Sequence, residues 1–126
     1  MEFHVRPEAT PSGPLVVHVT GEVDLTTSQH LHGHLQASLE DHGEGPVVCD
    51  LSAVTFLDAT GLHALIAAQG RAEYAGRRFA VAGARGQVRR TLELVRLVDM
   101  LECHDTVEAA LGALRADGDG AVGSAI

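Results

Sequence analysis

Patterns typical of strands and of helices alternate along the chain, and this alternation restricts the fold more than any other feature. Residues 47–51 form an almost continuous apolar run, which predicts a strand buried on both faces. A helical pattern precedes it, with Leu31, Leu35 and Leu39 at fourfold spacing, and another follows it through Leu62 and Leu65. Because helices that connect strands of one sheet favour parallel pairing, the chain is predicted to be an α/β protein.

The remaining segments complete a mixed sheet of about five strands with about four helices. Residues 3–5 and 15–20 predict an antiparallel hairpin around the Gly13-Pro14 turn, followed by a polar loop at residues 21–24. The first helix is capped by Thr26, Thr27 or Ser28, and the second ends near Gly76. Later segments predict a strand at 78–82, a helix at 87–97, an edge strand at 101–104 and a final helix opened by Thr106.

The chain is predicted to be one domain, residues 1–116, with a disordered tail at 117–126 that is rich in Gly, Ala and Asp. No apolar run approaches the roughly 18 residues of a membrane span, and the N-terminus lacks the pattern of a secretory signal. Cys49 and Cys103 are far apart and form no CxxC pair, which favours reduced thiols. We therefore expect a cytoplasmic protein.

The charge balance favours a protein partner. Nine Lys and Arg residues against seventeen Asp and Glu give a net charge of −8, which argues against nucleic acid or an anionic membrane as the main partner. Neither a phosphate-binding loop nor a nucleophile with an activating His is visible, so the sequence predicts no enzyme. A phosphate of a nucleotide could sit at the helix start near Asp58, but the acidic side chain there disfavours it.

Two short motifs carry a family resemblance. Residues 48–62 contain Asp50-Leu51-Ser52 and then Asp58-Ala59-Thr60-Gly61-Leu62, and residues 21–24 read Gly-Glu-Val-Asp after the second predicted strand. Asp58 is also a suitable N-cap for the helix that follows. In these motifs, and in element order over about residues 3–115, the chain resembles the STAS domain, whose stand-alone bacterial form is the anti-sigma factor antagonist.

The resemblance implies a partner-switching cycle without a cofactor. In such a cycle the unmodified antagonist binds an anti-sigma factor, usually a serine kinase with a histidine-kinase-like ATPase fold, and thereby frees a sigma factor. The kinase can phosphorylate a hydroxyl in the Asp-Ser-Ser/Thr-Gly segment, after which the antagonist lets go. The implied contact surface extends along the exposed face of the second helix to about Tyr74, and its partner-binding residues are Glu22, Asp24, Asp58, Ala59, Thr60, Gly61 and Leu62.

At one position the sequence departs from the family pattern. The usual phosphate acceptor directly follows the Asp, and this position is Ala59, which has no hydroxyl. Either Thr60 is phosphorylated instead, or the protein is not switched by phosphorylation and stays in its partner-binding state. We favour the second hypothesis, because a shift of one residue turns the side chain by about 100° around a helix.

Other side chains suggest weaker alternatives. His30, His32 and His34 include an i, i+4 pair, but without a further ligand cluster we predict no metal site. The arginines at 85, 89, 90 and 96 are predicted to lie mostly on the solvent face of their helix, where Arg89 and Arg90 could join an interface rim. The domain could instead serve a stressosome-like scaffold or a lipid-transport ATPase complex. The sequence does not determine the oligomeric state.

Overall fold

A single five-stranded sheet, in the order β1-β2-β3-β4-β5, organises the chain in a computed structural model. The structure describes the backbone of residues 2–41, 43, 45–96 and 99–124, and the side chains of residues 2–40, 43, 45–95 and 99–115. The elements, in chain order, are β1 (His4–Ala9), β2 (Leu15–Val23), α1 (Ser28–Asp41), β3 (Val47–Leu57), α2 (Ala59–Tyr74), β4 (Phe79–Ala82), α3 (Gly86–Arg96), β5 (Glu102–His104) and α4 (Val107–Ser124).

The sheet is mixed, as the sequence predicts. Strands β1 and β2 form an antiparallel hairpin, and β2 to β5 are all parallel to their neighbours. Helices α1, α2 and α3 connect successive parallel strands that advance in one direction across the sheet. Because such crossovers are right-handed, all three helices lie on the same face. The main core forms there, where Leu35, Leu65 and Leu92 pack against the sheet.

Helix α4 covers the other face. It follows the edge strand β5 and packs through Ala110 and Leu114 against Val16, Val48 and Ala82, which form a second apolar cluster. Thr106 begins this helix as predicted, since its hydroxyl accepts a hydrogen bond from the N–H of Ala109 at 3.0 Å. The backbone of α4 is assigned as far as Ser124, and the predicted boundary of the folded domain at residue 116 stays a prediction.

Three strands are longer than the sequence patterns predict, and the first of them, expected at residues 3–5, spans His4–Ala9. The polar loop expected at residues 21–24 is wrong for residues 21–23, which belong to β2, and β3 continues beyond residue 51 to Leu57. Two β-bulges interrupt the pairing of β2 with β3, because each places an extra residue of β3 opposite β2: Thr20 pairs with Ala53, and Glu22 pairs with Phe56.

The bulges change the spacing of core-facing residues in β3. The buried side chains Leu51, Val54 and Leu57 are three residues apart, instead of the two that a regular strand requires. On β2, Gly21 sits between the two irregularities with a φ of +105°, and a Cβ there would lie 3.0 Å from the Cα of Phe3. Glycine is therefore favoured where Phe3, directly before β1, lies against β2.

A buried arginine joins the ends of two helices. Arg77 follows the end of α2, has only 8% of its surface exposed, and reaches the last turn of α1. Its guanidinium donates to the carbonyl oxygens of Ser38 and Leu39 at 3.2 and 2.6 Å, and to that of Gly45 at 2.8 Å. Ser38 and Leu39 are among the residues whose carbonyls find no partner within α1, so Arg77 satisfies acceptors that burial would otherwise leave unpaired.

We predict that Arg77→Met lowers the free energy of unfolding by about 2–4 kcal/mol, because it keeps the side-chain length but removes the donors to buried carbonyls. Urea unfolding followed by circular dichroism measures the effect. The control is Arg90→Met on the exposed face of α3, which should change stability by less than about 0.5 kcal/mol. Equal stabilities of the two variants would contradict the role given to Arg77.

Candidate functional site

Helix α2 begins at Asp58, which caps it as the sequence predicts. The residue has extended backbone angles, and its Oδ1 atom accepts hydrogen bonds from the N–H groups of Thr60 and Gly61 at 2.9 and 3.2 Å. Two of the N–H groups that lack partners in the first turn are thereby satisfied. The cap fixes where α2 starts relative to the end of β3.

The same carboxylate also binds the hydroxyl of Thr60. Thr60 Oγ1 donates to Asp58 Oδ1 at 2.5 Å, and this bond, together with those from the Gly61 and Thr60 N–H groups, holds the pKa of the Asp58 carboxyl below its usual value. Asp58 is therefore ionised at neutral pH. Its negative charge lies against the only hydroxyl of residues 58–62.

The residues of this segment differ in exposure. Ala59 is exposed, Asp58 and Thr60 are half-buried, and Gly61 and Leu62 are buried. A partner could therefore contact Asp58, Ala59 and Thr60 directly, whereas Gly61 and Leu62 act through packing. The assignment of residues 58–62 as partner-binding residues stays a prediction.

Gly61 lies where β2, β3 and α2 meet. A Cβ atom at this position would lie 2.4 Å from Leu57 Cδ1 and 2.6 Å from Val23 Cγ1, closer than real Cβ atoms approach. Val23 and Leu57 are the paired last residues of their strands, and both are fully buried. The missing side chain of Gly61 is thus the reason that the first turn of α2 can rest on both strand ends.

The turn between β2 and α1 is held by Asp24. Its Oδ1 atom accepts from the N–H groups of Thr26 and Thr27 at 3.0 and 3.1 Å, and its own N–H donates to Thr27 Oγ1 at 3.0 Å. Such reciprocal bonding is typical of the start of a helix. Asp24 therefore has a structural role in the turn, while the neighbouring Glu22 is exposed.

The two predicted segments come together as the sequence indicates. The N–H of Asp58 donates to the carbonyl oxygen of Val23 at 3.1 Å, which joins the end of β2 to the start of α2. An open groove of about 510 Å³ continues this surface between α1 and α2, and it is lined by Ser28, Gln29, His32, Thr60, His63, Ala64 and Ala67.

Two exposed apolar side chains next to these turns are missed by the sequence patterns. Leu25 follows Asp24 and is 70% exposed, and Phe56 lies two residues before Asp58 and is 38% exposed. Each adds exposed apolar area beside the turns that follow β2 and β3. A single apolar residue outside any periodic pattern carries no signal for a strand or helix, although Leu25 stands out within the polar turn.

Asp50, of the Asp-Leu-Ser motif, belongs to a different cluster. Its carboxylate accepts from the N–H of Ser52 at 2.9 Å and lies 2.7 Å from His18 Nδ1, while the other ring nitrogen of His18 lies 2.7 Å from Glu8. Partial burial raises the pKa of Asp50, but the bonds from Ser52 and His18 outweigh it and keep this pKa below its usual value. The cluster connects β1, β2 and β3 and is absent from the sequence prediction.

The histidines of α1 do not form a metal site in the described part of the chain. His30, His32 and His34 are all exposed, and among the side chains described no group of three His, Cys, Asp or Glu residues could hold a metal ion. Cys49 is buried and Cys103 is half-buried, and the two do not form a disulfide bond. Arg85, which directly precedes α3, and Arg89 and Arg90 within it are exposed as predicted, and the side chain of residue 96 lies outside the described set.

The chain is similar to proteins of a known family. The family model of the STAS domain matches residues 6–110. An anti-sigma factor antagonist from Mycobacterium paratuberculosis is 32% identical, with a TM-score of 0.75 over 90% of this chain and 95% of that chain. None of the helices that the structure describes is both long and apolar enough to cross a membrane.

Two further structures share the fold at lower identity. The anti-sigma factor antagonist SpoIIAA in its unphosphorylated form is 14% identical, with a TM-score of 0.67 over 89% of this chain and 98% of that chain. The phosphorylated form of SpoIIAA, a Bacillus cell fate determinant, is also 14% identical, with a TM-score of 0.65 over 87% of this chain and 98% of that chain.

We predict that Gly61→Ala destabilises the protein by about 1–3 kcal/mol, because the added methyl group overlaps Leu57 and Val23 at the start of α2. Thermal and urea unfolding measure the change. Gly70→Ala in the same helix is the matched control, since a Cβ there meets nothing within 4 Å and alanine favours the helix by about 0.5–1 kcal/mol. If both substitutions stabilise the protein, the packing of Leu57 and Val23 does not restrict position 61 to glycine.

Proposed function

Since the chain belongs to the STAS domain family, in the group of anti-sigma factor antagonists, we propose that it binds an anti-sigma factor and thereby releases a sigma factor. The partner is a serine kinase with a histidine-kinase-like ATPase fold. The chain itself performs no catalysis in this role and acts in the cytoplasm. The observation that carries the proposal is the joining of the β2 and β3 ends with the start of α2, which brings Glu22 and Asp24 close to the segment of Asp58, Ala59 and Thr60.

The docking surface comprises Glu22, Asp24, Leu25, Phe56, Asp58, Ala59 and Thr60, together with the groove between α1 and α2. Leu25 and Phe56 supply exposed apolar area at its edge. Ala59 at the start of α2 and the alanines of the groove leave room for side chains of a partner to approach the backbone. A mixture of apolar and polar side chains is the usual composition of a protein interface.

Charge supports a partner with a basic surface. Glu22, Asp24 and Asp58 place carboxylates on the docking surface, and the chain as a whole has a net charge of −8. Opposite charge on the partner would speed association and fix the orientation of docking. Nucleic acid, which is itself polyanionic, would be repelled by the same surface.

The contacts of Thr60 favour a protein that is not switched by phosphorylation. Its hydroxyl is bound to the Asp58 carboxylate at 2.5 Å, so a phosphoryl group on Thr60 would break this bond and place about two negative charges beside a carboxylate. The exposed position is Ala59, which offers no hydroxyl. We infer that the protein remains in its binding state when the kinase is active.

The same domain could instead serve a stressosome-like scaffold or a lipid-transport ATPase complex. Co-purification of the tagged protein from its host discriminates between these roles. A small ATPase-domain kinase in the purified complex supports the antagonist, and a transporter ATPase or a large scaffold protein overturns it.

We predict that Ala59→Glu weakens binding to the co-purifying kinase at least about tenfold, because the larger side chain would fill the space that Ala59 leaves for the partner and bury a carboxylate there. Isothermal titration calorimetry measures the affinity. Ala109→Glu is the matched control, since it adds the same exposed charge to the first turn of α4 on the opposite face of the sheet. Equal affinities of the two variants would move the interface away from Ala59.

A second prediction concerns the kinase reaction. After incubation with the co-purifying kinase and ATP, we expect no phosphate on Thr60 of the wild type, whereas Ala59→Ser should be phosphorylated at position 59 and released. Peptide mapping by mass spectrometry locates the phosphate, and Ala59→Ser combined with Thr60→Val confirms its position. Phosphate on Thr60 of the wild-type protein would show that the switch is retained and would contradict our inference.

A further inference from the structure

Among the residues that the structure describes, no strand pairs with the last part of β3 on its β4 side. Strand β4 pairs with β3 only from Val47↔Phe79 to Asp50↔Ala82, whereas β3 continues to Leu57. The backbone N–H and C=O groups of Leu57 that point away from β2 would need other partners there, because buried backbone groups are almost always hydrogen-bonded.

The side chain of Gln87 provides these partners. Its Oε1 atom accepts from the N–H of Leu57 at 3.0 Å, and its Nε2 atom donates to the carbonyl oxygen of Leu57 at 2.7 Å. One primary amide therefore binds both backbone groups of a single residue, as a paired strand would do. Glutamine is suited to this role because its side chain carries a donor and an acceptor side by side.

The amide of Gln87 is itself held in place. Nε2 also donates to Thr91 Oγ1, one helical turn further along α3, at 3.0 Å. The backbone of α3 is anchored to the main core by Val88, Leu92 and Val95, which are all buried. The orientation of the amide therefore depends on both a local hydrogen bond and the packing of the helix.

The position of Leu57 gives this arrangement its functional meaning. The next residue is Asp58, whose N–H is bound to Val23 on the β2 side and whose carboxylate caps α2. The turn between β3 and α2 is thus fixed by β2 on one side and by α3 on the other. Without Gln87, the α3 side of the turn would be held by packing and by the long 3.4 Å contact from Thr91 Oγ1 to the Leu57 carbonyl.

We propose that Gln87 is a positioning residue for partner docking: it holds the β3–α2 turn so that Asp58, Ala59 and Thr60 are presented in the conformation that the partner binds. The proposal rests on the function proposed above. A turn that is fixed before binding loses little conformational entropy on docking, so its loosening weakens the complex. The effect is expected mainly in the dissociation rate, as for most changes within one interface.

Gln87→Met tests the proposal, because methionine keeps the length of the side chain and removes both hydrogen-bonding groups. We expect the amide hydrogen of Leu57 to exchange at least about tenfold faster, and the affinity for the co-purifying kinase to fall about five- to tenfold. Nuclear magnetic resonance measures the exchange, and surface plasmon resonance measures the rates of binding. Amide exchange at Leu65, in the middle of α2, reports whether the helix itself remains formed.

The matched control is Leu114→Ala, in the second apolar cluster on the opposite face of the sheet. It removes buried packing and lowers the free energy of unfolding, but it leaves Gln87 and the packing of α3 intact. Under conditions where every variant is folded, we expect its affinity to stay within about twofold of the wild type. A loss of affinity as large as that of Gln87→Met would show that general stability, and not positioning, matters, and would overturn the inference.

Two other outcomes are distinguishable. If the wild type binds the kinase and Gln87→Met binds equally well, the positioning role is overturned and the proposed function stands. If the wild type binds no anti-sigma factor at all, the proposed function is overturned, and the docking role of Gln87 with it.

Discussion

The contact between Gly61 and the paired ends of β2 and β3 determines where the other parts of the surface lie. Because Gly61 has no side chain, the first turn of α2 rests directly on Val23 and Leu57. The cap at Asp58 then forms one residue after the strand ends, and its N–H bonds to Val23 across the junction. Any larger residue would push the helix away from the sheet and separate the two motifs that the proposed docking surface combines.

Three donors bind one oxygen of the Asp58 carboxylate. This arrangement stabilises the start of α2 and disfavours phosphorylation of Thr60. The two N–H groups secure the helix start, and the Thr60 hydroxyl completes the arrangement. A hydroxyl that is part of such a network is a poor site for a reversible charge, because its modification would also disturb the cap. In the proposed function, binding is then controlled by the amounts of the antagonist and its partner, and not by phosphorylation of this chain.

Local chemistry made much of this structure predictable from the sequence. Asp58 as a cap, Thr106 as a helix start and the antiparallel hairpin all follow from residues close together in the chain. The extension of β3 did not, because Leu51, Val54 and Leu57 recur every three residues, a period that matches neither a regular strand nor an amphipathic helix over so short a segment. The bonds from His18 to Asp50 and from Gln87 to Leu57 join residues 32 and 30 positions apart, and no local pattern reports such pairs.

The two β-bulges make the number of residues between Asp50 and Asp58 as important as the identity of the motif residues. Each bulge adds one residue of β3 without a counterpart in β2, so the segment between Asp50 and Asp58 acts as a spacer of fixed length. Its exposed members Ala53 and Thr55 can vary in identity at little structural cost. The loss or gain of one residue would instead exchange the buried and exposed faces of the strand end, since side chains alternate along a strand. This segment is therefore more restricted in length than in the identity of these two residues, and related chains should differ here by substitution and not by insertion or deletion.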